Sequence, residues 1–338
     1  MSLPSISVLI PTLNSENVLG ECLASIKQQD YPVSKVEIII ADGGSSDQTL
    51  SIAKKYKAKI FNNPLKTGEA GKAVALKHAK GELIALIDSD NILLRKDWLR
   101  KMILPFSDKE IIGAEPWQFS YRKKDGFIDR YCSLLGVNDP YCFFLGNYDR
   151  LNTLTGKWTE INLKQKSFNS WIKVFLENEN IPTIGANGVL FRKKVFIKNP
   201  LVDKYLFDID VIASLVKQRP VAFAKVKISI VHLYCGSSTR KFIRKQQRRI
   251  RDYLFYNKLG TRNYPWIQFN KRKTIKFVVM CLTIVPLFYQ SVKGFSKRKD
   301  IAWFFHPLAS EITLLIYSLE VIKSLYRTKE ASRKTWSQ

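Results

Sequence analysis

The sequence predicts an α/β protein with a mainly parallel, Rossmann-like central sheet and apolar helices near the C-terminus. Over the first hundred residues, short β-branched runs alternate with stretches of helical spacing, and one run is apolar throughout. Such alternation favours parallel strands joined by right-handed crossovers. Of the 338 residues, 46% are hydrophobic, which is enough to bury a substantial core.

The alternation can be followed element by element. The β-branched run at 6–10 predicts the first strand, and the apolar spacing at 16–29 predicts an amphipathic helix. The next predicted elements are a strand at 36–41, a helix capped by Ser46 or Asp47 and ending at Tyr56, a strand at 58–61, a helix at 70–79 and a strand at 83–87. No period is evident in the aromatic-rich residues 113–180. Regular patterns return in a segment at 188–192, a helix at 208–217 and a strand pair around 221–232.

The apolar strand at 83–87 leads directly into Asp88-Ser89-Asp90. In an open α/β sheet, ligands bind outside the carboxyl ends of the strands. Two carboxylates at that position can hold two ligands or one hard cation, Mn²⁺ or Mg²⁺. Taken alone, the pair also fits an acidic turn before the following helix.

Polar clusters follow other strand ends as well. The first strand is closed by Pro11, Thr12, Leu13 and Asn14, and the second by Asp42, Gly43 and Gly44. Gly43 lets a flat ligand approach the backbone, and Asp42 can accept a hydrogen bond from a base or a ribose. Gly71 and Lys72 lie near the start of a helix, where amides and a lysine suit phosphate. Each cluster alone fits an ordinary turn, but together they predict a nucleoside-diphosphate site.

These segments resemble the nucleotide-binding half of the family 2 glycosyltransferases, which have the GT-A fold. The matching segments are 7–14 (SVLIPTLN), 40–49 (IADGGSSDQT), 71–73 (GKA), 86–90 (LIDSD) and, more weakly, 185–192 (GANGVLFR). The resemblance implies inverting, metal-dependent transfer from a nucleotide-sugar, with UDP as the favoured nucleotide. It places Pro11 and Asp42 at the nucleobase, Asp88 near the ribose, and Asp90 on Mn²⁺ or Mg²⁺.

Inverting transfer needs a carboxylate that takes the proton of the acceptor hydroxyl. In the family this base is the Asp of a Glu-Asp pair that opens a helix. Asp210 is the best match because an apolar helix follows it directly, and Ile209 stands where the family has Glu. Asp208 is the alternative base. Both acids also fit simple helix-start residues stabilised by the helix dipole.

Two further segments carry polar candidates. His232 ends the last predicted strand and is a candidate contact for the metal or diphosphate, or an ordinary strand-end histidine. Gln246, Arg248 and Arg249 resemble the family's Gln-x-x-Arg-Trp element, with Ile250 in the aromatic position. Guanidinium groups pair well with phosphate, so these residues are candidates for the diphosphate or acceptor; a solvated helix face is the alternative.

The predicted organisation has three parts. Residues 1–235 form the GT-A catalytic domain, with a nucleotide-binding half at 1–112 and an acceptor half at 113–235. Residues 236–270 form a basic helix and connector, and 271–338 form an apolar, basic-flanked helical region.

The charge distribution favours a cell-membrane location on the cytoplasmic face. The chain carries a formal charge of +26, and from Arg240 onward 22 Lys or Arg stand against 5 Asp or Glu. Basic clusters flank the apolar segments 277–292 and 301–325, and a spanning hairpin would place one cluster on the far side, against the positive-inside rule. We therefore expect interfacial or re-entrant helices on an anionic membrane surface, with a spanning hairpin or helices packed on protein as alternatives.

Three functions fit these observations. The first is a glycosyltransferase that uses a nucleotide-sugar donor and a lipid-linked or glycan acceptor, in cell-surface polysaccharide or glycolipid synthesis. A sugar nucleotidyltransferase is the second, although residues 11–16 lack the Gly-rich basic loop of that class. The third is a basic nucleic-acid- or membrane-binding protein; no nucleic-acid-binding module is recognisable, so we expect no nucleic-acid partner.

Overall fold

The computed structural model describes residues 3–177, 181–197, 205–264 and 271–326. The chain forms two compact units. Of the described residues, the first unit contains those up to 117 together with those in 162–232, and the second contains 118–161 together with those in 233–326.

Strands and helices are numbered along the chain. The strands are β1 (Ile6–Thr12), β2 (Val36–Asp42), β3 (Lys59–Asn62), β4 (Leu83–Leu86), β5 (Asn91–Ile92), β6 (Ile111–Phe119), β7 (Gln165–Ser167), β8 (Trp171–Leu176), β9 (Val189–Arg192) and β10 (Val221–His232). The helices are α1 (Glu16–Lys27), α2 (Thr49–Lys55), α3 (Gly68–His78), α4 (Trp98–Ile103), α5 (Phe127–Leu135), α6 (Pro140–Leu145), α7 (Asp208–Gln218), α8 (Thr239–Lys258), α9 (Lys271–Thr283), α10 (Val285–Lys297) and α11 (His306–Tyr326). Every strand and helix predicted before residue 88 is confirmed, but the residue at the N-cap of α2 is Gln48 rather than Ser46 or Asp47.

The sheet of the first unit is mixed rather than mainly parallel. Its strand order is β3-β2-β1-β4-β9-β6-β10-β8-β7, and β5 pairs with β10. The strands β3, β2, β1 and β4 are parallel, whereas β9 runs antiparallel to β4 and β6, and β8 runs antiparallel to β10 and β7. The parallel prediction therefore holds only for the first four strands, where helices supply the crossovers.

The carboxyl ends of the parallel strands meet at one edge of the sheet. All four residues of β4 are buried, as expected of a strand covered on both faces. In the register of β1 and β2, Thr12 pairs with Asp42. The polar residues that follow these strands are therefore brought together, as the sequence predicted.

The predicted strand pair around 221–232 is wrong, because β10 is one continuous strand of 12 residues. Lys225 suggests a polar interruption in the sequence. In the structure its side chain is fully buried, and its Nζ lies 2.6 Å from Oε1 of Glu115 on β6. A compensated charge of this kind can be tolerated inside a sheet, whereas an unpaired one cannot.

The core of the second unit explains why 118–161 is separated from the predicted acceptor half. Aromatic residues of α5 and α6 pack against the segment that begins α11: Tyr131 contacts Phe305 edge to face, and Phe143 contacts His306. The Tyr131 hydroxyl also lies 2.8 Å from Nδ1 of His306. These aromatic residues of α5 and α6, which show no period in the sequence, therefore belong to this core, and their partners at 305 and 306 are more than 150 positions away.

Helices α9 and α10 join at a bend of 92°. Ile284 at the bend has φ of 59°, and Pro286 lies at the start of α10. Among the described helices none is by itself long and apolar enough to cross a bilayer, although α9 and α10 together satisfy that length and composition.

Candidate active site

Asp42 organises the loop that follows β2. Its Oδ1 accepts hydrogen bonds from Oγ1 of Thr12 at 2.8 Å and from Oγ of Ser45 at 2.6 Å. Its Oδ2 accepts from the backbone N–H groups of Gly44 and Ser45 at 2.9 and 2.8 Å. Four donors fill the usual acceptor capacity of a carboxylate. A direct contact between Asp42 and a base would therefore require one of these bonds to open.

Pro11, Asn63 and Gly71 form a close contact beside Asp42. A Cβ on Gly71 would lie 2.8 Å from Cβ of Pro11 and 3.1 Å from Nδ2 of Asn63, so glycine is needed for α3 to approach β1. Asn63 is buried, and its Nδ2 donates to the carbonyl of Thr67 at 2.9 Å. Among the described residues its Oδ1 has no hydrogen-bond partner. This arrangement leaves an unused acceptor in the predicted nucleobase region.

The turn after β4 is held by Asn91. Its Oδ1 accepts the backbone N–H of Asp88 at 2.9 Å. Its Nδ2 donates to Oδ1 of Asn187 at 3.0 Å, and to the carbonyl of Val231 at 3.5 Å. Ser89 is also positioned, because its hydroxyl donates to Ser15 at 3.2 Å. The acids of the turn are thus oriented by contacts from separate parts of the sheet.

Lys72 lies between two carboxylates. Its Nζ is 3.3 Å from Oδ2 of Asp208 and 3.9 Å from Oδ1 of Asp88, and its side chain is almost fully buried. Burial lowers the pKa of Lys72, but the charges of Asp208 and Asp88 outweigh it, and the pKa is raised. Lys72 therefore carries a fixed positive charge at neutral pH.

The pKa of Asp88 is raised, first by burial and then, against the opposing charge of Lys72, by the neighbouring Asp90. Its side chain retains 30% exposure. In the part of the chain that the structure describes, neither of its carboxylate oxygens accepts a hydrogen bond. A carboxylate with open acceptor capacity, crowded by a second acid, is the environment that a divalent cation stabilises.

The predicted metal ligands are only partly assembled. Nε2 of His232 lies 3.5 Å from Oδ2 of Asp90, and β5 pairs directly with the end of β10 at this point. Across the described ranges, no three His, Cys, Asp or Glu side chains form a ready metal site. The donor set of Asp90 and Asp88, with His232 beside it, fits a cation that takes its remaining ligands from a diphosphate and water.

The two candidate bases have different surroundings. Asp208 begins α7, and its Oδ2 accepts from the backbone N–H of Ala186 and pairs with Lys72. Its Oδ1 makes no hydrogen bond to any residue that is described. Asp210 is only 1% exposed. An acceptor hydroxyl must reach the base, and this favours Asp208, which lies beside Lys72 and Asp88.

The candidates on α8 belong to the second unit. Gln246 is fully buried and donates to the carbonyl of Asn138 at 2.8 Å. Arg249 donates to Oε1 of Gln246 at 2.7 Å and lies 3.6 Å from the carboxylate of Asp139. Arg248 is exposed. Within this unit Gln246 and Arg249 are therefore parts of a buried polar network, while Arg248 lies at the surface.

Asn63 and Asn91 are site residues that the sequence analysis missed. Asn63 directly follows β3. Asn91 directly follows the Asp-Ser-Asp motif, and its role depends on contacts with Asn187 and Val231 that are distant in sequence. Position at a strand end could have identified Asn63, whereas no local signal identifies the contacts of Asn91.

Comparison with known proteins defines the class of protein to which this chain belongs. The sequence profile of Glycosyl transferase family 2 matches residues 7–197, more than half of the chain. The chain belongs to this family. This result favours the first of the three functions considered from the sequence.

Two curated relatives match over shorter stretches. The poly(ribitol-phosphate) β-N-acetylglucosaminyltransferase TarS of Staphylococcus aureus is 40% identical over 93 residues, covering 26% of this chain and 16% of that protein. A poly(ribitol-phosphate) β-glucosyltransferase of Bacillus spizizenii is 37% identical over 102 residues, covering 28% and 16%. The chain thus spans about a sixth of the length of these relatives.

A solved structure supports the fold over nearly the whole chain. The mannosyltransferase PcManGT of Pyrobaculum calidifontis, in complex with GDP-Man and Mn²⁺, aligns with a TM-score of 0.54 and 14% identity. The alignment covers 97% of this chain and 89% of that one. The predicted GT-A fold is confirmed.

Proposed function

We propose that the protein transfers a sugar, with inversion, from a nucleotide-sugar to a lipid-linked or glycan acceptor at the cytoplasmic face of a membrane. UDP is the proposed donor nucleotide, and the product serves cell-surface polysaccharide or glycolipid synthesis. The observation that carries the proposal is the arrangement of Lys72 on α3 and Asp208 at the start of α7 around Asp88, which follows β4, in a family 2 fold.

On the donor side, the base is proposed to lie against Pro11, with Asn63 supplying a hydrogen-bond acceptor. Loop 42–45 shapes this region through the bonds of Asp42. Asp90 and Asp88, with His232 beside them, would hold Mn²⁺ or Mg²⁺. Such a cation acts as a Lewis acid that offsets the charge developing on the leaving diphosphate.

On the acceptor side, Asp208 is proposed as the general base. It takes the proton of the acceptor hydroxyl while the hydroxyl oxygen bonds to the anomeric carbon, and the bond from that carbon to the nucleoside diphosphate breaks. Lys72 and the N–H of Ala186 both contact Oδ2, which orients the carboxylate and leaves Oδ1 for the acceptor. Asp210 is the second candidate.

The test is transfer by the purified full-length protein from radiolabelled UDP- and GDP-sugars to membrane lipid or glycan fractions, with Mn²⁺ and with a chelator. Label in either fraction, lost in the Asp208→Asn variant, supports the proposal. Release of nucleotide without label in any acceptor, or pyrophosphate turnover, would contradict it. A thermal-shift series with the same nucleotide-sugars identifies the donor independently of the acceptor, because a bound ligand raises apparent stability.

A further inference from the structure

The second unit exposes apolar side chains along one face of α9 and α10. On α9 these are Ile275, Val279 and Leu282, and on α10 they are Val285, Phe288 and Val292, all at spacings of three or four residues. A helix that borders water normally presents polar residues at such positions. An extended exposed apolar face of this kind marks a surface that binds a partner.

Helix α11 buries several polar side chains and exposes several apolar ones. Its buried side includes His306, Ser310, Thr313 and Glu320, whereas Leu308, Leu315, Leu319 and Ile322 are exposed. Ser310 and Thr313 satisfy their hydroxyls on backbone carbonyls one turn earlier, and Glu320 is paired with Arg251. The polar residues are therefore accommodated within the protein, and the outward face is left for an apolar environment.

The bend between α9 and α10 contains a highly exposed part of this surface. Leu282 and Val285 are 75% and 74% exposed, and Ile284 between them has a left-handed backbone conformation. A β-branched residue with positive φ is strained. We call Leu282, Ile284, Val285 and Tyr289 the apolar corner.

The charge around the surface has a single sign. In the described residues 271–326, the exposed side chains that are charged at neutral pH are all basic: Lys271, Arg272, Lys276, Lys293, Lys297, Arg298, Lys299 and Lys323. Of the three acids in this range, Asp300 and Glu320 are buried in ion pairs with arginines, and Glu311 is partly buried. An apolar face bordered by basic residues complements the boundary between anionic headgroups and acyl chains.

We infer that the apolar corner and the outward faces of α9, α10 and α11 form a docking surface for an anionic lipid bilayer. The helices lie in the plane of the interface, and the corner inserts below the headgroups. A second copy of the chain is a poorer occupant, because two such surfaces would bring identical basic borders together. This inference deepens the membrane location proposed above and rests on it, but it does not depend on catalysis.

Vesicle flotation of the full-length protein, without donor, tests the docking surface. The wild type is expected to float with vesicles of phosphatidylcholine and phosphatidylglycerol in a 7:3 ratio, and much less with phosphatidylcholine alone. The triple variant Leu282→Asn, Val285→Asn, Tyr289→Asn should lose at least about tenfold in vesicle affinity. Val33→Asn is the matched control, because Val33 is 77% exposed in the first unit. Exposed positions were chosen so that folding is little affected.

Two further measurements separate the possible occupants. The variant Lys276→Gln, Lys293→Gln, Lys299→Gln should reduce binding to the level seen with phosphatidylcholine, as should 0.5 M NaCl. An environment-sensitive dye on Val285→Cys should shift to shorter wavelength with the anionic vesicles, and the same dye on Val33→Cys should not. The inference is overturned if the wild type does not float. It is also overturned if the corner variant binds as the wild type does, or if that variant changes only the oligomeric state.

Discussion

The ammonium nitrogen of Lys72 lies 3.3 Å from Oδ2 of Asp208, although the two residues are 136 positions apart in the chain. The contact joins the start of α3, from the nucleotide-binding half, to the start of α7. Asp88 lies on the other side of the same ammonium group, at 3.9 Å. One lysine therefore connects the donor-side acids with the proposed base.

Asparagine substitutions at the two candidate bases should have different effects. Asp208→Asn removes the proposed proton acceptor while retaining the shape of the side chain, so transfer should fall by about 10²- to 10⁴-fold. Asp210→Asn should retain most of the transfer rate, unless it destabilises the fold. Steady-state transfer kinetics give the comparison, and donor binding by thermal shift is the control. An inactive Asp210→Asn variant that still binds donor, beside an active Asp208→Asn variant, would assign the base to Asp210.

Removing the charge of Lys72 should destabilise the first unit. Lys72→Met leaves Asp88 and Asp208 without their common counter-ion, which we expect to cost about 3 kcal/mol in the free energy of unfolding. Urea denaturation measures this difference. The double variant Lys72→Met, Asp208→Asn should recover part of this loss of stability, because one of the two carboxylates that lack a counter-ion is removed. Equal stability of wild type and Lys72→Met would show that the ion cluster is energetically unimportant.

The loss of unfolding free energy caused by Lys72→Met should depend on pH. The pKa of Asp88 is raised, chiefly by burial and further by Asp90, with Lys72 opposing the rise. Loss of Lys72 should raise it more. As the pH falls through this raised pKa, Asp88 becomes neutral and no longer needs a counter-ion. The deficit of Lys72→Met should therefore become smaller as the pH is lowered, which urea denaturation at a series of pH values measures.

Chelation should abolish transfer, and Mn²⁺ or Mg²⁺ should restore it. Asp90→Ala removes a proposed ligand, so the metal concentration for half-maximal activity should increase at least about tenfold. Asp97→Ala is a suitable control, because Asp97 pairs with Arg95 and Lys101 outside the site. Undiminished transfer in excess chelator would refute the metal requirement.

Asn63→Ala should weaken donor binding. Loss of one hydrogen bond to the base corresponds to about 0.5–1.5 kcal/mol, or roughly a two- to tenfold increase in the dissociation constant for the nucleotide. Asn62→Ala is the neighbouring control, since Asn62 is exposed whereas Asn63 is buried. Calorimetric titration with the nucleotide measures both variants. An equal effect, or none, would argue against a contact between Asn63 and the base.

The second unit should lose stability on acidification because of His306. Burial lowers the pKa of its imidazole to about 3, whereas an unfolded chain has a value of about 6.5. Between these values only the unfolded state binds the proton, so stability falls as the pH is lowered through this range, by up to about 1.4 kcal/mol per pH unit. His306→Asn should show a shallower pH dependence in urea denaturation; an unchanged slope would assign the effect to other groups.

The sequence was informative where short-range patterns determine structure. The alternation up to residue 87 gave each strand and helix, because apolar spacing and turn residues are local signals. It could not show that β9 inserts antiparallel between β4 and β6, since those pairings join segments roughly 80 to 110 positions apart. The continuity of β10 was likewise hidden, because the burial of Lys225 depends on Glu115.

In the candidate site too, local features could be predicted from the sequence and long-range contacts could not. The residue types at the ends of β1, β2 and β4 could be identified, but their partners could not. Lys72 was expected to face phosphate, and the structure pairs it with Asp88 and Asp208. Asp42 was expected to contact a base, and its acceptor capacity is used by its own loop and by Thr12. The sequence therefore indicated which chemical groups lie in the site, whereas the hydrogen-bond partners of those groups are seen only in the folded structure.

Asn91 has a consequence for any attempt to transplant this site. Its carboxamide joins the acidic turn to Asn187 and to the end of β10. The orientation of the two carboxylates in this turn therefore depends on three chain segments at once. Grafting the short acidic motif onto another scaffold would copy its charges without their direction. A designer would need to carry the asparagine and both of its distant anchors as well.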